Sequence, residues 1–266
     1  MSLSFYLPPS FQYGVAAGFV GVYASYYMAK DVLIPKFASP SFQEKVAALK
    51  PGKETIYFYA TFASMAHAIV QSFFHPAVIA LGMSLAHNEN RVTHFDDGWP
   101  SCFSGIFVGY LVADFFVCGP KALGLMYCVH HISAAIIWTW ASGYGAMQWY
   151  ASMLQFCELS TIFMNLRQWV LTAGYPSGSK TVLGISLFFF ASFFGVRVVP
   201  LPGLVYKWIS GDFAKLSDEK GMALALASTS TLIIHVCLQS FWFMLMVKKI
   251  MKLVAGGKKT PKKKEE

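Results

Sequence analysis

Apolar runs of about twenty residues recur along nearly the whole chain, and few side chains within them are charged. The hydrocarbon core of a bilayer is about 30 Å thick, and an α-helix needs roughly 20 residues to cross it. The runs lack the short alternation of a membrane β-barrel strand. The expected fold class is therefore all-α, a polytopic membrane protein with about seven transmembrane helices. Composition agrees, because only 13% of residues are charged, against about 25% in soluble domains. No GxGxxG, P-loop or Asn-x-Ser/Thr sequon occurs. The five cysteines lack CxxC spacing, so neither a zinc site nor a disulfide framework is indicated.

The spans expected are residues 13–33, 55–85, 101–117, 126–146, 147–172, 181–208 and 222–247. Pro35 and Pro40 should break the chain after the first, and Pro200 and Pro202 should interrupt the sixth. Between the first two spans, Phe42, Val46 and Leu49 stand at helical spacing, which suits a short surface helix. The organisation read from this is an N-terminal helix with a cytoplasmic linker (1–54), a helical membrane domain (55–248) and a basic tail (249–266).

Charge orients the spans. Cytoplasmic flanks are enriched in Lys and Arg. With the C-terminus in the cytoplasm, the inner segments hold Lys30, Lys36, Lys45, Lys50, Lys53, Lys121, Lys180 and all eight lysines after Val247. The outer segments hold only Arg91, Lys207, Lys215 and Lys220. The N-terminus is then lumenal. The tail suits anionic headgroups, at about 1 kcal/mol per basic residue near the surface, and no nucleic-acid module accompanies it. Lys263 and Lys264, fourth and third from the end, match a dilysine retrieval signal, read by coat proteins as an endoplasmic reticulum address.

Ionisable groups inside spans this apolar are costly and are functional candidates. In this orientation Asp114, His130 and His131 lie towards the cytoplasmic side, as do Asn165 and Arg167, with His67, Glu158 and His235 near mid-span. One cavity open to the cytoplasm would collect them. Glu158 and Asn165, seven apart, share a helix face, and Gln155 is one turn before Glu158. His130 and His131 point about 100° apart, so at most one should aim straight at the cavity. A neutral imidazole can act as a general base or as a nucleophile, and a carboxylate beside it fixes its tautomer. Asp114 or Glu158 could supply that carboxylate. Adjacent histidines are poorly placed for a metal, whereas i,i+4 pairs suit one, so no metal site is expected. Spacing alone leaves a second reading open, in which these groups are interhelical ties.

Residues 109–114 (Gly-Tyr-Leu-Val-Ala-Asp), the pair His130-His131, residues 158–161 (Glu-Leu-Ser-Thr) and residues 165–169 (Asn-Leu-Arg-Gln-Trp) together resemble the TLC-domain family. Tyr175-Pro176, Ser179-Lys180 and the Phe-rich stretch ending Val196-Arg197-Val198 extend the likeness over about residues 40–248. The family takes in the ceramide synthases, the translocating-chain-associating membrane proteins and the ceroid-lipofuscinosis endoplasmic reticulum protein. The match is nearest to the small TLC-domain-containing transmembrane proteins.

The resemblance implies a six-helix bundle around a lipid-accessible cavity, with the first helix outside it. In the ceramide synthases the histidine pair belongs to the site that transfers an acyl group from acyl-CoA to a sphingoid amine, and His130 and His131 match that pair. Those enzymes carry an aspartate-rich motif in the next span, where this chain has Glu158, Asn165 and Arg167.

The reading is an endoplasmic reticulum membrane protein that binds lipid acyl chains and affects membrane lipid composition. As an acyltransferase on a lipid amine or hydroxyl, it would use His130, His131, Asp114 and Glu158 for catalysis. Asn165, Gln155, His67 and His235 would line the lipid cavity, and Lys121, Arg167 and Lys180 would hold the phosphates of acyl-CoA. The co-substrate would be acyl-CoA, with no resident cofactor. The alternative is a non-catalytic lipid sensor, carrier or cargo-receptor-like protein using the same cavity.

Overall fold

Proline governs this chain less than its usual chemistry predicts. The first helix, α1 (Pro9–Met28), passes through a π-helical turn (Ala29–Leu33) into α2 (Ile34–Phe37). Pro35 therefore does not end it. The Ile34 amide reaches back five residues to the Ala29 carbonyl, so Pro35 follows a widened turn in which its missing N–H breaks no regular ladder. The break comes at Ala38, which is extended, ahead of Pro40. The surface helix expected next is α3 (Pro40–Ala47), capped by the Ser39 hydroxyl and burying Val46. In the computed structural model, residues 5–86, 92–93 and 95–256 are described, apart from the side chains of 77–86, 120–123 and 252–256. The side chain of Lys121 and the pair Lys263 and Lys264 lie outside what is described.

The described residues are helical, with no strand among them. The order continues α4 (Lys53–Ala86), α5 (Trp99–Leu123), α6 (Leu125–Gly143) and α7 (Gln148–Gln155). A 3-10 turn (Phe156–Glu158) leads into α8 (Leu159–Thr172). Then come α9 (Lys180–Phe193), α10 (Pro200–Lys207), α11 (Phe213–Lys220) and α12 (Met222–Gly256). Gly119, at φ 54, breaks α5 near its end, a left-handed conformation that a side chain would disfavour.

The sixth run corrects the sequence reading in the same way as the first. A π turn (Phe194–Val198) precedes Pro200, and the Val199 amide donates to the Phe194 carbonyl over 3.0 Å. Helical structure runs through both prolines and past residue 208, so Lys180–Lys220 forms one rod of 41 residues, bent where Gly211 leaves helical geometry.

Trp99–Gly119, Lys180–Lys220 and Met222–Met251 are long and apolar enough to cross a membrane. Their burial separates their roles. The most apolar stretch of the first is 56% buried, against 17% and 22% for the other two. Helix α5 is thus the most enclosed of the three, while the α9–α11 rod and α12 turn apolar side chains such as Leu187, Phe188 and Met244 outwards. Around the ring, α4, α5, α6, α12, the rod and α8 each touch the next, and α8 closes on α4. Helix α1 lies outside the ring against α5 and α4.

That outer contact is unusually close. Gly14 and Gly18 of α1 oppose Gly105 and Gly109 of α5, and a Cβ at any of them would strike the facing backbone. Two glycine pairs at i,i+4 spacing let the backbones touch, a common device in membranes. At one end α7 and a cluster around Trp149, Tyr150, Trp208 and Leu216 fill the ring. At the other end it is open.

Candidate functional site

The open end holds a cavity of about 620 Å³, within the range of roughly 300–1,000 Å³ usual for ligand sites. Exposed Lys53 and Glu54, at the start of α4, stand at its mouth. Its flank reaches the outer surface at Met126 and Leu245, which are 44% and 48% exposed. Phe189, Phe193 and Trp242 give it an apolar wall, and α5, α6 and α8 give it a polar one.

Helix α6 begins at Leu125, so His130 and His131 fall in its second turn, level with the last turns of α5. His131 is 3% exposed, and its Nε2 lies 3.2 Å from Asp114 Oδ2, although off the straight hydrogen-bond line. Its Nδ1–H donates to the Tyr127 carbonyl at 3.1 Å. With Nδ1 a donor, the contact of Nε2 with a carboxylate needs a proton between them. Asp114, 1% exposed, also accepts from the Tyr127 hydroxyl at 3.1 Å and from the Cys118 thiol at 3.4 Å. His131 is thus hydrogen-bonded through Nδ1, and its Nε2 is closed off by the Asp114 carboxylate.

His130 borders the cavity too, on the α12 side, with its ring 5.6 Å from Trp242 and 6.3 Å from His235. As their separation of about 100° requires, the two diverge: both border the cavity, but His131 turns to Asp114 and Tyr127 while His130 turns towards Trp242 and His235. The two rings, 5.6 Å apart and nearly perpendicular, meet the void from neighbouring positions, His131 towards α5 and His130 towards α12.

Across the cavity, the 3-10 turn ends at Glu158. Its Oε1 is 3.8 Å from Arg197 Nη2. Arg197 sits on the π turn, 8% exposed. Its Nε donates to the Cys157 carbonyl at 3.1 Å and to Ser160 Oγ at 2.7 Å, Nη2 to Thr161 Oγ1 at 3.1 Å, and Nη1 to Gln239 Oε1 at 3.4 Å. A buried guanidinium satisfied on this many sides is held rigidly. Asn165, 1% exposed, also lines the cavity, and its Nδ2 donates to Ser64 Oγ at 3.0 Å.

The other sequence candidates stand elsewhere. His67 is stacked on Tyr110 with ring centroids 3.8 Å apart, one layer behind the wall. Gln155 is fully buried beside His75 and borders no part of the cavity. His235 lines a separate small pocket behind His130. Arg167 donates from Nε to Ser186 Oγ at 3.0 Å, and Lys180 opens α9; neither is among the residues lining the cavity. Among the described side chains, the lysine that lines the cavity is Lys53. Sequence reasoning also missed Tyr127 and Ser64. Tyr127 precedes His131 by one helical turn, and that spacing was the available signal. Among the described residues no group of three or more His, Cys, Asp or Glu could hold a metal ion.

Chemically, the site offers one imidazole tied to a carboxylate, a second free to face the void, and a fixed cation opposite. The TLC domain family model matches residues 54–248, which is the ring and its cavity. TLC domain-containing protein 4-B of Danio rerio is 24% identical over 258 residues, covering 95% of this chain and 94% of the relative. No solved structure matches. The chain belongs to the TLC-domain family of membrane proteins linked to lipid metabolism.

Proposed function

We propose that this is an endoplasmic reticulum protein that crosses the membrane seven times, N-terminus lumenal and C-terminus cytoplasmic. Its cavity takes a lipid acyl chain and transfers acyl groups from acyl-CoA to a lipid amine or hydroxyl. The observation that carries the reading is the cavity itself. It is open at a lysine-bearing mouth and along an apolar flank, and a His–carboxylate pair and a free imidazole meet at its wall.

The roles divide. His130 takes the proton of the acceptor's N–H or O–H as that atom attacks the thioester carbonyl carbon. The C–S bond then breaks, and the proton passes to the departing thiolate. His131, hydrogen-bonded through Nδ1 and closed off at Nε2 by Asp114, fixes α6 against α5 and balances the charge of Asp114. Arg197 offers a preorganised positive charge to the oxyanion. Lys53 is the cation placed to meet acyl-CoA phosphates at the mouth.

The test is purified protein in lipid nanodiscs with labelled acyl-CoA and a panel of amine and hydroxyl acceptors. Label should appear on one acceptor class, and His130→Ala should abolish it. His130→Ala removes the general base, a loss of about 10²-fold or more, whereas Asp114→Asn, which only loosens the hold of α6 on α5, should lower transfer by less while the protein stays folded. A panel that takes up no label refutes acyl transfer. One observation favours the second reading, a lipid carrier or sensor: His131 has no nitrogen left for a substrate. In that case labelled lipid is retained in the cavity without covalent change, and His130→Ala leaves retention intact.

A further inference from the structure

Behind His130 lies a second pocket of about 20 Å³, whose lining includes His130, Glu158, Arg197 and His235, with Phe107 and Trp138 among its apolar neighbours. His130, Glu158 and Arg197 border both this pocket and the large cavity. A void must offer about 10–15 Å³ and two to four polar partners to hold a water. This one has room for a single water and little more.

The chemistry of its wall is set by a relay. A guanidinium has only donors, so the Gln239 atom facing Arg197 Nη1 must be its oxygen. The Gln239 amide nitrogen then faces His235 Nε2, at 3.3 Å. That nitrogen must accept, so neutral His235 carries its proton on Nδ1. His235 is 6% exposed, and Nδ1–H is the donor it has left. A water in the pocket can accept from this N–H and give its two protons to Glu158 and His130. Such a water has its hydrogens aimed at bases, and three residues of its pocket, His130, Glu158 and Arg197, also border the large cavity.

We propose that the protein also hydrolyses acyl thioesters, using a water held by His235, Glu158 and His130. The inference rests on the acyl-CoA reading above. His130 takes one proton from the water, and the oxygen bonds to the thioester carbonyl carbon. The C–S bond breaks, and His130 returns the proton to the thiolate. Acyl-CoA and water become a fatty acid and CoA thiol. His235 touches the reacting water; Gln239 and Arg197 act through it as positioning residues.

The experiment uses full-length protein in nanodiscs with palmitoyl-CoA in ¹⁸O-enriched water, run with and without the acceptor panel. The fatty acid released should carry one ¹⁸O. His235→Leu should lower the ratio of hydrolysis to transfer at least tenfold. His235→Asn, whose side-chain N–H lies near the place of Nδ1–H, should restore most of that ratio and provides a second test if the leucine variant unfolds. Transfer with no labelled fatty acid overturns hydrolysis and leaves the transfer reading standing. Labelled fatty acid with no acceptor modified supports hydrolysis and overturns transfer. Neither product overturns both. Hydrolysis whose ratio to transfer is unchanged in both His235 variants overturns the assignment of the water to this pocket.

Discussion

The contact between α1 and α5 makes opposite predictions for glycines on one helix. A Cβ added at Gly109 would stand 2.8 Å from the Phe19 amide nitrogen and closer still to the Val15 carbonyl oxygen, and one added at Gly14 would stand 2.9 Å from the Ile106 nitrogen. Ordinary contact begins at 3.4 Å, and the obstructing atoms are backbone, which no rotamer can move. The helices must therefore part along the seam that buries Phe11, Val22, Phe107 and Leu111. Overpacking of this kind costs about 1–3 kcal/mol. Gly21, on the same helix, has nothing within 4 Å of its added Cβ, and Ala there gains up to about 1 kcal/mol of helix propensity. Gly14→Ala and Gly109→Ala should thus lower the melting temperature in nanodiscs, while Gly21→Ala leaves it level or raises it. Asp114 lies five residues after Gly109 on the same helix, so the two clashing variants should also loosen the site. If Gly14→Ala and Gly21→Ala shift the melt alike, the close backbone approach is not there.

Arg197→Ala should destabilise the protein by about 3 kcal/mol, the low end for breaking a buried pair, because Glu158 keeps 14% of its side chain exposed. Adding Glu158→Gln should restore part of the loss, and a thermal melt of the double variant checks it. Asn165→Val removes one hydrogen bond to Ser64 and should cost only about 0.6 kcal/mol, leaving abundance on immunoblots unchanged. A C-terminal tag should be accessible to antibody in cells whose plasma membrane alone is permeabilised. Lys263→Ala/Lys264→Ala should let the protein leave the endoplasmic reticulum, as read by colocalisation.

Apolar runs were enough to place most of the helices, since a backbone in lipid must satisfy itself internally. Three of them, Trp99–Gly119, Lys180–Lys220 and Met222–Met251, are long and apolar enough to cross a membrane, while the run 147–172 divides at a 3-10 turn. The errors came at Pro35 and Pro200, where the sequence has the residue that usually ends a helix. The π turns at Ala29–Leu33 and Phe194–Val198 absorb those prolines by a one-residue shift in the ladder, and no residue type announces such a shift. The glycine pairs 14/18 and 105/109 were legible as spacing, but which helices they join depends on packing. The carboxylate and histidines of the site stood out because they are expensive in lipid. Their facing did not. His67 and Gln155 are buried like Asp114 yet lie outside the cavity, since a polar group deep in a bundle can turn to a neighbouring side chain instead, as His67 does to the Tyr110 ring. Membrane side alone points to Arg167 and Lys180 as phosphate ligands, and side says nothing of direction: neither lines the cavity, and Arg167 bonds Ser186.

The two ion pairs of the site hold different parts of the wall, and His130 lies between them. Asp114 and His131 join α5 to α6. Glu158 and Arg197 join the 3-10 turn before α8 to the π turn before α10. Both irregular turns fall where these charges are, which is where such turns concentrate in functional helices. Arg197 lies within the π turn and Glu158 ends the 3-10 turn, and the two meet at 3.8 Å on the cavity wall. Of the three titratable groups that border both voids, Glu158 and Arg197 pair with each other, and His130 has neither an ion-pair nor a side-chain hydrogen-bond partner among the described contacts. Anchored neighbours and a free imidazole are the arrangement proton transfer requires: the base keeps a lone pair for its substrate while the surrounding charges are already paid for by their partners.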